Sequence, residues 1–273
     1  MESHLMTHNI RLAESRVLIT GGASGLGCQM ALQAAAAGAE VILWDLSAEG
    51  GKKATAEILA AGGRASFAQV DVTNRGAVER AAKKTGDIDV LVNNAGVVSG
   101  ASFSQLSAEA IERTYRVNVL SLYWMTQAFL PGMRERNHGC VVTIASAAGL
   151  IGVAKQTDYS ASKFAAVGFT ESLRAELRSE KSAVGTLTVC PFYIDTGMFE
   201  GVQTKFPALL PILHEADVAK KILRALEKGK AQIIMPRFAA MTPWMRILPV
   251  RAFDKLADFL GVNKTMEHFR GRS

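Results

Sequence analysis

The amino-acid sequence predicts an α/β fold, a doubly wound parallel sheet of about seven strands flanked by helices. Three observations predict it. Short apolar runs alternate with helical patterns from residue 16 to about 236. The runs are hydrophobic at consecutive positions, as strands covered on both faces are. Glycine clusters mark the joints, with 24 glycines against seven prolines. Single helices between such strands form right-handed βαβ units, so the sheet is of the Rossmann type. No internal repeat or change of composition divides this stretch. Residues 1–15 read as an amino-terminal tail, 16–236 as one domain that carries the binding and chemical residues, and 237–273 as an apolar helical extension of it.

In order, residues 17–20 form the first strand, 21–27 a glycine turn, and 28–37 an Ala-rich helix that stops at Gly38. Strand 41–44 leads to a helix over 48–61, closed by Gly62 and Gly63. Residues 66–70 make a third strand with a short helix from Asn74, and 88–92 a fourth. A long helical pattern covers 107–134, with Ser107 as its N-cap. Strand 140–144, helix 158–178, strand 187–190, helix 217–226 and strand 232–235 complete the alternation.

Composition excludes several classes. With 49% hydrophobic and 21% charged residues, the chain buries an ordinary core and is no disordered polyampholyte. Its net charge of +6 is spread without any block of like charges, so no nucleic-acid partner is expected. Cys28, Cys140 and Cys190 are distant from one another and lack a ligand pattern, so neither disulfides nor a metal site is expected. Residues 1–8 have neither the basic start nor the apolar run of a signal peptide. No stretch reaches the roughly 18–20 apolar residues of a membrane span. A cytoplasmic protein, at most peripheral to a membrane, is expected.

The turn Thr20-Gly21-Gly22-Ala23-Ser24-Gly25-Leu26-Gly27 suits a dinucleotide pyrophosphate. Gly21 permits the tight turn, Gly25 admits a close backbone approach, and Gly27 lets the helix pack on the sheet. The N–H groups of Ser24, Gly25 and Leu26 then face the phosphates at a positive helix end. A glycine-rich turn without ligand is the plainer alternative. Asp45 closes the second strand, 18 residues after Gly27, where a carboxylate accepts hydrogen bonds from ribose hydroxyls and repels a 2′-phosphate. That favours NAD, with NADP the weaker candidate; a simple N-cap is the other reading of Asp45.

Tyr159-Ser160-Ala161-Ser162-Lys163 sets a phenol and an ammonium four residues apart on one helical face. A nearby cation stabilises a phenolate, so Tyr159 would exchange a proton with an alcohol or carbonyl oxygen. Such a pair is common on surface helices. Ser146, however, ends a strand 13 residues before Tyr159, at the carboxyl edge where open sheets bind ligands. Asn93-Asn94-Ala95-Gly96 follows another strand at the same edge, and Asn118 lies in the long helix. Singly these read as caps, turns and a buried amide; their joint order points to chemistry.

Together, residues 20–27, 93–96, Asn118, Ser146, Tyr159, Lys163, Pro191 and Thr196 resemble the short-chain dehydrogenase/reductase family from residue 16 to about 200. The resemblance implies Tyr159 as acid/base, Ser146 polarising the substrate oxygen, and Asn118 with Lys163 supporting a proton-relay water. It implies cofactor contacts by Leu46 beside Asp45, by Asp71 and Val72 at the adenine, by Asn93, Asn94, Ala95 and Gly96 along the channel, and by Ile194 and Thr196 at the carboxamide. Phe192 stands where the family usually has glycine and is expected to line the substrate pocket. Residues 41–45, 90–100, 111–114, 137–139, 158–173 and 195–201 resemble more closely the retinol and 17β-hydroxysteroid dehydrogenases. The apolar amino-terminal anchor of eukaryotic members has no counterpart in these residues, so membrane residence is not carried over. A homodimer or homotetramer is implied.

After Thr196 the chain turns apolar, through Met198, Phe199, Phe206, Leu209, Leu210, Ile212 and Leu213. A lid over a hydrophobic substrate and a short packed helix both account for it, and Met198 and Phe199 are substrate candidates. Residues 239–269 add a basic amphipathic pattern that suits packing on its own domain, a partner subunit or a membrane surface. The expected activity is NAD-dependent interconversion of a bulky lipophilic alcohol (retinoid-like, steroid-like or long-chain) and its carbonyl. An NADPH-type reductase of 3-ketoacyl thioesters is the rival within enzymes, and Asp45 argues against it. A non-catalytic cofactor sensor is the rival outside them; it would bind NAD without turning over any alcohol.

Overall fold

Successive side chains of a strand point to opposite faces, so a strand apolar at every position must be covered twice. In the computed structural model, which describes residues 10–271, this is how the chain is built. The strands are β1 (Arg16–Thr20), β2 (Glu40–Asp45), β3 (Arg64–Gln69), β4 (Val90–Asn93), β5 (Cys140–Ile144), β6 (Gly185–Pro191) and β7 (Gln232–Met235). They form one parallel sheet in the order β3-β2-β1-β4-β5-β6-β7. Val17 and Ile19 enter one core while Leu18 enters the other; Val41 and Leu43 divide from Ile42 and Trp44 in the same way.

The first core is closed by α1 (Gly25–Ala36), α2 (Ala48–Ala60) and α7 (Glu215–Glu227), through Met30, Ala34, Ile58, Ile222 and Leu226. The second is closed by α3 (Arg75–Thr85), α5 (Ser121–Glu135) and α6 (Thr157–Ser179), through Val78, Met125, Met133, Leu173 and Leu177. The order in which strands are added reverses between β1 and β4, which leaves a crevice at their carboxyl ends.

Four boundaries differ from the sequence reading. Helix α1 begins at Gly25 inside the glycine turn, not at Cys28. Strand β3 starts at Arg64; it is an edge strand with alternating exposure, so it lacks the continuous apolar run of the inner strands. Ile10 and Leu12, assigned to the tail, are buried in the first core. The reading of residues 1–8 lies outside the described residues. Finally, the 107–134 pattern is α4 (Ala108–Tyr115) and α5 joined by a π-helical turn over Arg116–Leu120. The Ser107 cap is present, accepting from Ala110 N at 3.2 Å.

Beyond β7 the chain makes α8 (Thr242–Met245) and α9 (Val250–Phe259). Ala257, Leu260 and Val262 bury with Leu210 and Ala239 in a satellite core over the sheet edge. No helix forms between Ile194 and Leu213, so the apolar stretch there is a turn-rich strap rather than a packed helix. Among the described residues no helix is long and apolar enough to cross a membrane.

Candidate active site

The glycine turn is fixed from two sides. Gly21 and Gly25 adopt φ of +64° and +54°, a region that disfavours side chains. A Cβ at Gly27 would strike the Gly21 carbonyl oxygen and come within 2.6 Å of Asn94 Nδ2. That amide donates to Thr20 O at 2.9 Å and Gly21 O at 3.1 Å, and Thr20 Oγ1 accepts from Asn94 N and Ala95 N. Asn94 therefore ties β4 to the β1 turn at the point where the sheet reverses. On the other side the Asp45 carboxylate accepts from Ala23 N at 3.0 Å and Ser47 N at 2.9 Å. Ser47 is the N-cap of α2, accepting from Gly50 N, so Asp45 clasps the glycine turn instead of capping the helix.

Ser24, Gly25, Leu26 and Gly27 line a cavity with Asp45, Leu46, Asp71 and Val72. Asp71 Oδ1 accepts from Thr73 N and Thr73 Oγ1. Side-chain-free backbone at a helix start, followed by a carboxylate at the next strand end, fits the pyrophosphate and ribose of a nicotinamide dinucleotide.

The chemical groups stand at the ends of β5 and the start of α6. Lys163 Nζ donates to Ile144 O at 2.8 Å and lies 5.6 Å from the Tyr159 ring centroid. Both residues are buried. Burial pushes the Tyr159 phenol above its ordinary value, and the neighbouring Ser146 hydroxyl works in the opposite direction. Burial also pulls the Lys163 ammonium down to about 8. Ser146 Oγ accepts from Ala148 N at 3.1 Å and lies 3.5 Å from Pro191 O. Asn118 sits in the π turn. Its Oδ1 accepts from Val97 N, and its Nδ2 donates to Val97 O and Ser162 Oγ, all within 2.9–3.0 Å. The widened turn lets one amide brace the loop after β4 against α6.

One cavity of about 410 Å³ runs from the glycine turn past Ser146, Tyr159 and Lys163 to an apolar end. Gly21, Ala95, Gly96, Ile194, Thr196, Phe192, Met198 and Phe199 all line it. Phe199 meets the Tyr159 ring edge-on at 5.7 Å. Two of the expected residues do not line it. Asn118 and Asn93 are buried outside the lining, whereas Asn94 belongs to it. Sequence reasoning missed Gln156, Tyr193, Thr242 and Val262, all of which line the cavity. Gln156 is the N-cap of α6, three residues before Tyr159; the others lie after β6 and in the short terminal helices, whose path no local pattern encodes. No group of His, Cys, Asp or Glu suited to a metal occurs among the described residues.

Fold and cavity together define an oxidoreductase of the nicotinamide-dinucleotide class. The short chain dehydrogenase family model matches residues 15–206, and the chain belongs to that family. It is 42% identical over 260-odd residues to epidermal retinol dehydrogenase 2 of Mus musculus, covering 94% of this chain and 85% of that one. Among solved structures it is similar to a short chain dehydrogenase/reductase from Burkholderia phymatum in complex with NAD, at a TM-score of 0.79 and 26% identity over 87% of this chain and 95% of the other. A metagenomic short-chain oxidoreductase in complex with NADP superposes at 0.70, with 26% identity over 82% and 97%. The chain is thus an oxidoreductase of CH–OH groups with NAD(P) as its cofactor class.

Proposed function

We propose that the protein oxidises a bulky lipophilic alcohol (retinoid-like, steroid-like or long-chain) to its carbonyl with NAD. The carrying observation is the single cavity that joins the glycine turn and Asp45 to Tyr159 and then to an apolar end. When bound, the nicotinamide supplies the acceptor or donor of hydride. Tyr159 holds and moves the hydroxyl proton. Burial favours its neutral form, which donates to a carbonyl oxygen, and the Lys163 ammonium beside it favours the phenolate needed for oxidation. Ser146 directs a hydrogen bond at the substrate oxygen where charge develops. Asn118 braces the Val97 backbone against Ser162, beside Lys163, and with Lys163 supports a proton-relay water. Leu46, Asp71, Val72, Ile194 and Thr196 hold the cofactor, and Phe192, Met198 and Phe199 exclude water from the carbinol.

The Asp45 carboxylate supports NAD over NADP. Exposed Trp244, Ile247 and Val250 beside Arg246 and Arg251 support a peripheral membrane contact of an otherwise cytoplasmic protein. Tyr115, Leu120, Tyr123 and Phe164 leave an apolar face on the long helices that suits a homodimer or homotetramer. A panel of retinol, hydroxysteroids and aliphatic alcohols, assayed with NAD and with NADP, tests the reading. Turnover of bulky apolar alcohols with NAD is expected. Binding of NAD with no turnover of any alcohol would overturn it.

A further inference from the structure

Most side chains at the apolar end of the cavity carry no polar atom, but Gln156 does, and its orientation is determined. Thr265 Oγ1 donates its one hydrogen to Val262 O at 2.8 Å. It must therefore accept from the Tyr193 hydroxyl, 2.8 Å away. With its own hydrogen spent, the Tyr193 oxygen accepts from Gln156 Nε2 at 3.1 Å. This relay leaves Gln156 with its carbonyl oxygen and one amide hydrogen. Neither has a partner among the described residues, although the side chain is only 1% exposed and lines the cavity. The same cavity is lined by the apolar Ile151, Val153, Phe192, Phe199 and Leu260. A buried amide left unpaired among such groups is destabilising unless a ligand completes it.

The same helix start carries Tyr159 three residues on. Gln156 is the N-cap of that helix and both side chains line the same cavity, so one ligand can meet both. Tyr193 stacks edge-on against Phe199 at 5.0 Å, and Phe199 against Tyr159 at 5.7 Å, which holds the whole group in one rigid arrangement.

We infer that Gln156 is a specificity-determining residue that hydrogen-bonds a second oxygen, hydroxyl or oxo, carried by an otherwise apolar alcohol near its reacting carbinol. The inference rests on the proposed alcohol dehydrogenase reading and narrows it to alcohols with two oxygen functions close together. The amide suits either function, since its carbonyl accepts from a hydroxyl and its spare N–H donates to an oxo group.

The test compares a long-chain secondary alcohol with its neighbouring-carbon diol and hydroxyketone, in wild type, Gln156→Met and Tyr193→Phe. In wild type, kcat/KM for the two-oxygen alcohols should exceed that for the single alcohol about tenfold or more, mainly through KM. Gln156→Met should bring the ratio close to one. Tyr193→Phe, which frees the amide to turn, should lower it part of the way. A wild-type ratio at or below one, or a ratio unmoved by Gln156→Met, overturns the inference. So does an equal loss on all three alcohols accompanied by a lower Tm, which would mark Gln156 as structural. Should Gln156→Met fail to fold, Gln156→Asn, with its amide withdrawn by one methylene, must lower the same ratio. Calorimetric Kd values for the three alcohols with NAD-loaded protein give the ratio without turnover. Absent turnover then counts against the alcohol dehydrogenase reading, and an even Kd ratio against Gln156.

Discussion

Replacing Asp45 is expected to change cofactor choice and turn stability together, by amounts that separate the two roles. Its carboxylate accepts from Ala23 N–H and Ser47 N–H at 3.0 and 2.9 Å. Hydrogen bonds to a charged group contribute about 1.5–3 kcal/mol, and solvent at this half-buried site replaces part of that, so Asp45→Ala should lose about 1–2 kcal/mol of unfolding free energy. The effect on cofactor choice is electrostatic. A 2′-phosphate carries about −1.5 to −2 charges. Unit charges about 4 Å apart interact by about 1 kcal/mol in water and about 4 kcal/mol at an effective dielectric of 20. A discrimination of about 2 kcal/mol follows for a partly exposed carboxylate, or about thirtyfold in Kd. The assay is calorimetric titration of NAD and NADP into wild type, Asp45→Ala and Asp45→Asn, alongside urea unfolding. Asn keeps an acceptor for the turn but loses the charge. The NAD preference should fall about thirtyfold in both variants, and the urea midpoint further in Ala. An unchanged preference in both, with a lower midpoint in Ala, would show that Asp45 only clasps the glycine turn.

Tyr159→Phe should keep NAD binding within a few-fold of wild type while lowering kcat at least about 100-fold, the usual weight of general acid–base catalysis; retained turnover refutes the proton role. Asn118→Leu deletes three hydrogen bonds and leaves Val97 N–H and C=O without partners. A loss of about 2–4 kcal/mol in urea unfolding is expected, and a loss below about 1 kcal/mol would contradict the bracing assigned to the π turn. Lys163 has its folded-state ammonium depressed from 10.5 to about 8. Between those values the unfolded chain binds the extra proton, so wild type should gain stability relative to Lys163→Met as pH rises through this window. The whole gain is about 3 kcal/mol. A stability difference that is flat from pH 7 to pH 11 would disprove the burial of a titrating ammonium.

Much of this architecture is legible without coordinates because its signals are local. β1, β2, β4 and β5 are apolar at consecutive positions since both their faces are covered, and that property survives in the bare sequence. β3 is less clear because an edge strand needs only half a pattern. The glycine turn, Asp45, Ser146, Tyr159 and Lys163 are visible because each is tied to the end of a recognisable element. The π turn is not, for a single widened turn leaves the helical period almost intact on either side. Nor is the absence of Asn93 from the cavity wall, which depends on the register of β4 by one residue. Gln156 looks like any polar residue ahead of a helix until Tyr193 and Thr265, 37 and 109 positions further on, are seen to fix its amide.

The strap and the terminal helices carry one more consequence. Every group placed at the reacting oxygen or along the dinucleotide precedes residue 197, whereas Met198, Phe199, Leu210, Phe238, Met245 and Leu260 close over them from later in the chain. Phe269, almost the last described residue, packs close to Gly100 and against Phe199 from outside the lining. A chain laid out this way keeps its reaction bench in one piece and its mould in another. Recasting the mould by exchange of the last quarter would alter which molecules are admitted while leaving the bench intact.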